Sequence, residues 1–84
     1  MTKAAKLARK LLDGRSDAAF RFDDLCLILA RAGFLTRQGK GSHHIFYKSG
    51  VEEIINLQPL GNMAKPYQVK QVRELVLKYK IKVS

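Results

Sequence analysis

The fold is decided by residues 34–57, FLTRQGKGSHHIFYKSGVEEIINL. Short runs rich in apolar, aromatic or β-branched side chains alternate here with turn residues, a pattern typical of strands. The predicted strands are residues 34–38, 43–48 and 53–57, with a glycine-rich loop at 39–42 and a turn at 49–50. Because these links are too short for parallel crossovers, the stretch predicts a three-stranded antiparallel meander.

Helices are predicted on both sides of this stretch, because apolar residues recur there at helical spacing. The first covers residues 4–12 and ends at Gly14. The second starts at Asp23 and ends at Gly33, and the third runs from Pro66 to about Lys80. The predicted buried stripes are Ala4, Leu7, Ala8 and Leu11; Leu25, Ile28, Leu29 and Ala32; and Val69, Val72, Val76 and Tyr79, with Leu75 beside the last.

The predicted fold class is therefore α+β, in the order α-α-β-β-β-α. A length of 84 residues leaves room for one domain with a modest core, so we expect residues 1–84 to form a single domain. The helices should cover one face of the sheet and leave the other face open.

Charge gives the first indication of function. Sixteen Lys and Arg against seven Asp and Glu give a net charge of +9. Such an excess favours a polyanion or an acidic protein as partner, and it does not choose between the two.

The single cysteine and the short apolar runs indicate a cytoplasmic protein. Cys26 alone cannot form an intramolecular disulfide, and its place in the apolar run 25–30 predicts a buried, inert thiol. That run is much too short to span a membrane, and the N-terminal residues 1–6 have no apolar core of a secretory signal. We therefore expect no membrane partner.

Residues 39–47 carry the chemistry, because they contain both histidines of the chain, His43 and His44. Histidine is the side chain that exchanges protons near neutral pH. Strand alternation places His43 with Ile45 and Tyr47 on one face and His44 on the other. Both faces carry apolar residues, so alternation leaves open which histidine faces solvent. One of the two could simply pack against the helices and the other be exposed without a function.

Several motifs together resemble the HicA family, the toxins of HicA–HicB toxin–antitoxin systems. They are Gly33-Phe34, Gly41-Ser42-His43, His44-Ile45-Phe46, and the later runs 54–59 and 65–72. The resemblance covers about residues 22–82, and it leaves the first helix, within residues 1–14, as an addition to the shortest versions of the fold.

The resemblance implies a small ribonuclease that cleaves mRNA and arrests translation, with a fold like that of double-stranded-RNA-binding domains. The family's catalytic histidine corresponds to His43, although some relatives carry it one place later, at His44. Many members have a basic or histidine-containing motif after the third strand, where this chain has residues 56–59, NLQP. The implied protein partner is a HicB-type antitoxin that covers the histidine, and the basic charge predicts an acidic contact surface on it.

RNA supplies its own nucleophile, the 2′-hydroxyl, so a metal-free enzyme needs a base to take its proton and donors for the phosphate. We expect no metal and no cofactor. His43 would act as general base or general acid. Beside it, Lys40, the backbone amides of Gly41 and Ser42, and the Ser42 hydroxyl are candidates to bind the phosphate. The candidate RNA-backbone contacts are Arg37, Lys65 and Lys70. Tyr47 could stack on a base, whereas core packing is the expected use of Phe34.

Two other functions fit the same pattern. A non-catalytic module of the double-stranded-RNA-binding type explains the charge, the sheet and the helices without requiring His43. A winged-helix DNA-binding domain would explain the two early helices and the later hairpin, but the chain lacks a recognition helix before the strands.

Overall fold

A computed structural model describes residues 2–83 of the chain. The helices are α1 (Lys3–Asp13), α2 (Phe22–Arg31) and α3 (Pro66–Lys78), with a short 3-10 helix, Asp17–Ala19, between the first two. The strands are β1 (Leu35–Gln38), β2 (His44–Tyr47) and β3 (Ile55–Leu57). The predicted order α-α-β-β-β-α and the α+β class are confirmed.

The sheet is the predicted antiparallel meander, with β2 in the centre. Its strands are shorter than predicted, and residues 53–54 lie outside β3. The reason is a side-chain interaction, since the Glu53 carboxylate accepts hydrogen bonds from Lys78 and Tyr79 at the end of α3. This contact ties the segment before β3 to the helix.

The register of the ladder separates two faces of the sheet. Phe46 lies opposite Ile55, and His44 lies opposite Leu57. Phe46, Ile55 and Leu57 are buried, so this face packs on the helices. The other face carries Leu35, which lies opposite Tyr47 and is 61% exposed. The sheet therefore has one covered and one open face, as predicted.

The core joins all three helices to the covered face. Within the predicted stripes, Leu7, Ala8 and Tyr79 are only half-buried, and the other members are buried. The aromatic residues just before α2, at its first position and just before β1 belong to the core, since Phe20, Phe22 and Phe34 are all buried. Burial of one such side chain stabilises the fold by about 1.5–3 kcal/mol, so the aromatic residues before α2 and β1 contribute strongly.

An arginine clamp fastens α1 to α3. The Arg73 guanidinium donates two hydrogen bonds to the Asp17 carboxylate, at 2.7 and 3.1 Å, and a third to the Leu11 carbonyl oxygen at 3.2 Å. This pairing raises the pKa of Arg73, chiefly through the hydrogen bonds that Arg73 donates to Asp17. Helix α1 is thereby held against α3 and so to the rest of the fold.

Cys26 is half-buried against the core, rather than fully buried as predicted. Burial, with a smaller contribution from the charge of Asp23, raises the pKa of its thiol to about 11. The thiol is therefore protonated near neutral pH, which agrees with an inert cysteine. Among residues 2–83, no helix has the length and apolar character that crossing a bilayer requires.

Candidate active site

The site is built on the turn between β1 and β2. The Gly39 amide donates to the His43 carbonyl oxygen at 2.9 Å, and the His43 amide donates to the Lys40 carbonyl oxygen at 3.1 Å. Gly41 takes a φ of +59°, a conformation that residues with a Cβ rarely adopt. The turn therefore depends on glycine, and it places His43 immediately before β2.

The imidazole of His43 is held by Asn56 on β3. Its Nδ1 lies 2.9 Å from the side-chain oxygen of Asn56. An amide oxygen only accepts hydrogen bonds, so in the neutral imidazole Nδ1 carries the proton and Nε2 keeps its lone pair. Asn56 pairs with Ile45 across the ladder, which puts it on the open face of the sheet. His43 is therefore oriented there with one nitrogen ready to accept a proton.

An open concavity of about 310 Å³ lies beside this pair. Its lining residues are Gly39, Lys40, His43, Ile45 and Asn56. Gly39 is closely packed, since a Cβ at this position would lie 3.1 Å from the His43 Cβ and 3.2 Å from the Ile45 Cδ1. The concavity therefore joins the His43 imidazole and a lysine to a surface with apolar character.

His44 lies on the opposite, covered side of the sheet. Its ring packs against Phe22 at the start of α2, with 5.2 Å between centroids and 59° between planes. The two adjacent histidines thus have different environments, as strand alternation predicts. Of the two, His43 is the one that lines the concavity.

A buried glutamine on α3 supports the strand that carries Asn56. Gln68 is 4% exposed, and its Nε2 donates to the Asn56 carbonyl oxygen at 3.1 Å. The Oε1 atom of Gln68 accepts a hydrogen bond from the backbone N–H of Gln58 at 3.3 Å. Gln68 was not predicted as a site residue, although it lies four residues before Val72 and eight before Val76, on the buried stripe. The buried stripe was predicted from apolar residues, and the polar side chain of Gln68 does not belong to that pattern.

A second chain of hydrogen bonds joins α3 to the loop. The Lys65 Nζ donates to the Gln58 Oε1 at 3.2 Å, and the Gln58 Nε2 donates to the Ser42 Oγ at 3.4 Å. In the described chain, the amides of Gly41 and Ser42 have no hydrogen-bond partner. Two backbone donors therefore lie in the turn before His43, and Lys65 is connected to the same turn through Gln58.

The other predicted RNA contacts are less closely connected to the loop. Arg37 is exposed on β1, opposite Ile45, and so shares the open face with the concavity. Lys70 is exposed on α3, and no contact within residues 2–83 joins it to His43 or to the loop. Tyr47 is 37% exposed on the open face. Of the predicted contacts, Lys40 lines the concavity with His43, and Gly41 and Ser42 lie in the turn before it. Lys65 is connected to Ser42 through Gln58, whereas Lys70 lies apart.

In residues 2–83, no group of three or more His, Cys, Asp or Glu side chains is placed to hold a metal ion. The pair that the structure does form is an imidazole with an amide oxygen, beside backbone and lysine donors. Such a set can accept one proton and bind an anionic group.

A family model described as the HicA toxin of bacterial toxin–antitoxin systems matches residues 22–79, from the start of α2 to the residue after α3. No curated protein and no solved structure gives a significant match.

Proposed function

The chain belongs to the HicA toxin family and is thus the toxin of a toxin–antitoxin system, and we propose that it is a metal-independent endoribonuclease that cleaves mRNA with His43. The observation that carries this proposal is the hydrogen bond from His43 to Asn56 beside the open concavity. This bond leaves Nε2 of a half-buried imidazole available to a substrate.

In the proposed reaction His43 acts as the general base. Its Nε2 takes the proton of a ribose 2′-hydroxyl while the 2′-oxygen attacks the adjacent phosphorus. The bond from phosphorus to the 5′-oxygen breaks, and that oxygen takes a proton from the imidazolium or from water. The products are a 2′,3′-cyclic phosphate and a 5′-hydroxyl end. General acid–base catalysis of this kind contributes about 10²- to 10⁴-fold.

The loop supplies donors for the phosphate. The amides of Gly41 and Ser42 lack partners in the part of the chain that the structure describes, and Lys40 lines the concavity. Backbone amides that are already fixed stabilise developing negative charge without reorganising during the reaction. Lys65 extends this positive region through its bond to Gln58, and Arg37 and Lys70 would contact the RNA backbone farther out.

Asn56 and Gln68 act as positioning residues. Asn56 fixes the orientation and tautomer of His43. Gln68 fixes the backbone on either side of Leu57, through the Asn56 carbonyl oxygen and the Gln58 backbone N–H. A base that is held in one geometry loses less entropy on reaching the transition state.

The antitoxin of this system is proposed to be a HicB-type protein with an acidic surface that covers His43. The net charge of +9 favours an acidic partner and speeds its association. The cytoplasm, where mRNA is available, is the proposed location.

The test is cleavage of single-stranded RNA in the presence of EDTA, with analysis of the ends. We expect 2′,3′-cyclic phosphate ends, and no cleavage at a site whose 2′-hydroxyl is replaced by hydrogen. Salt-dependent RNA binding without cleavage would contradict the proposal and would favour a binding module instead.

A further inference from the structure

We propose that the concavity beside His43 binds one unpaired nucleobase of the RNA, so that the toxin recognises single-stranded and not double-stranded substrate. This inference deepens the proposed function and rests on it. Neither the family match nor the catalytic role of His43 implies a base-binding site at this place.

The size of the concavity suits one base. Its volume of about 310 Å³ lies at the lower end of the range for small-molecule sites, which is about 300–1,000 Å³. A single ring system with part of its sugar fits such a space.

The lining also suits a base, which has an apolar face and polar edges. Ile45 presents an aliphatic side chain, and the backbone of Gly39 lies directly against it, where a Cβ would come within 3.2 Å. The Nδ2 of Asn56 has no partner among the described residues, because only its oxygen bonds His43. This group can donate to an acceptor on the base edge, while Lys40 at the same site can meet the phosphate.

The position of the concavity determines what the substrate must look like. Because His43 is itself part of the lining, a base seated there belongs to a nucleotide next to the scissile bond. A base in a protein concavity cannot pair at the same time, so a duplex must open first, and opening it costs free energy. Binding would thus discriminate against paired RNA, although the fold resembles double-stranded-RNA-binding domains.

The rest of the open face does not obstruct a single strand. Ile45 lies opposite Arg37, and Tyr47 lies opposite Leu35, with these four side chains on the surface away from the helices. An extended strand leaving the concavity therefore meets a cationic side chain and an aromatic ring, the two groups that bind single strands in a sequence-tolerant way.

The first experiment measures binding without cleavage. An RNA oligonucleotide with 2′-fluoro substitution, which lacks the nucleophile, is titrated with the wild-type protein as a single strand and as a duplex. We expect the single strand to bind at least about tenfold more tightly than the duplex, since the free energy of opening a base pair exceeds that of a tenfold change in affinity. Equal affinity for the two forms would overturn the inference.

The second experiment locates the base. In NMR spectra of the methyl groups, the ring current of a nucleoside 3′-monophosphate should shift the Ile45 Cδ1 resonance, whereas ribose 5-phosphate should leave it unchanged. Ile45→Ala should weaken single-strand binding about tenfold, and Ile54→Ala, a change at a 59% exposed residue outside the concavity, should change it less than twofold. No shift at Ile45, or equal losses in both variants, would contradict the assignment.

Neither measurement depends on catalysis. A protein that binds single strands at Ile45 and cleaves nothing would sustain this inference and contradict the proposed function. A protein that cleaves RNA and binds the duplex as tightly as the single strand would support the proposed function and contradict this inference. Displacement by an acidic peptide with no effect of nucleotides on Ile45 would assign the concavity to a protein partner and overturn the inference.

Discussion

The Nδ1 atom of His43 and the side-chain oxygen of Asn56 lie 2.9 Å apart, across the junction of β2 with β3. They are thirteen positions apart in the chain, so only the register of the sheet brings them together. Because the amide oxygen fixes the proton on Nδ1, the opposite nitrogen is available as a base. This arrangement matches the way in which serine hydrolases orient a histidine through a third group.

Asn56→Ala should lower the maximal cleavage rate by about tenfold, because the imidazole loses its orienting partner and part of its catalytic contribution. Asn56→Asp should retain activity and move the acidic limb of the pH–rate profile to higher pH, since a carboxylate favours the protonated imidazole. Single-turnover rates between pH 5 and 9 check both. Profiles that coincide with the wild type would show that Asn56 does not act on His43.

Gln68→Leu should destabilise the fold by about 1–3 kcal/mol, because it leaves the Asn56 carbonyl and the Gln58 amide without their partner. It should also lower kcat more than it raises KM at temperatures where the variant is folded. Urea unfolding and steady-state kinetics measure these effects. Gln71→Leu, on the same helix, is the matched control and should leave kcat unchanged. A similar loss of kcat in both variants would contradict the positioning role.

Glu53 gives a prediction about acid stability. Hydrogen bonds from Lys78 and then Tyr79 lower the pKa of Glu53 to about 2, from 4.5. A lowered pKa in the folded state means that this carboxylate stabilises the fold above about pH 4.5 and that the contribution disappears as the pH falls to about 2.

Glu53→Gln should therefore lower the urea midpoint at pH 7, and the difference from the wild type should vanish near pH 2. Glu52→Gln, at an exposed neighbouring carboxylate, is the control and should change little at either pH. A difference that stays constant between pH 7 and pH 2 would rule out the charge of Glu53 as its source.

Arg73→Leu should destabilise the protein by about 1–3 kcal/mol, since it removes a bidentate pair with Asp17 and a bond to the last turn of α1. In this variant, hydrogen exchange of the α1 amides should become faster than in the wild type, and by more than exchange of the sheet amides does. Arg15→Ala removes a pair that is exposed at the surface and should leave the urea midpoint almost unchanged. Unchanged exchange in α1 would show that the clamp does not hold this helix.

The sequence predicted the fold because its patterns are local and strong. The apolar spacing around Leu25, Ile28 and Leu29 and the short glycine links around β2 leave few alternatives. The predicted start of β3 was wrong because Glu53, although it lies in a run suited to a strand, is engaged by side chains at the end of α3, whereas the predicted end at Leu57 was right. That contact is distant in sequence, and no local pattern reports it.

The site was less predictable for the same reason. The loop and His43 could be identified from the motif, but Asn56 became a candidate only when the register was known, since a slip of one residue would turn it to the other face. Gln68 lay on a buried stripe, where apolar residues are the rule. Its role depends on two backbone groups of β3 and the residue after it, which only the folded chain places within reach.

The most direct measurement is the single-turnover cleavage rate of single-stranded RNA in EDTA for His43→Ala and for His44→Ala. The two residues are adjacent in the chain, and they lie on opposite faces of the sheet. We predict that His43→Ala loses at least about 10²-fold in rate, whereas His44→Ala stays within a few-fold of the wild type while folded. Loss of activity in His44→Ala with full activity in His43→Ala would contradict the account.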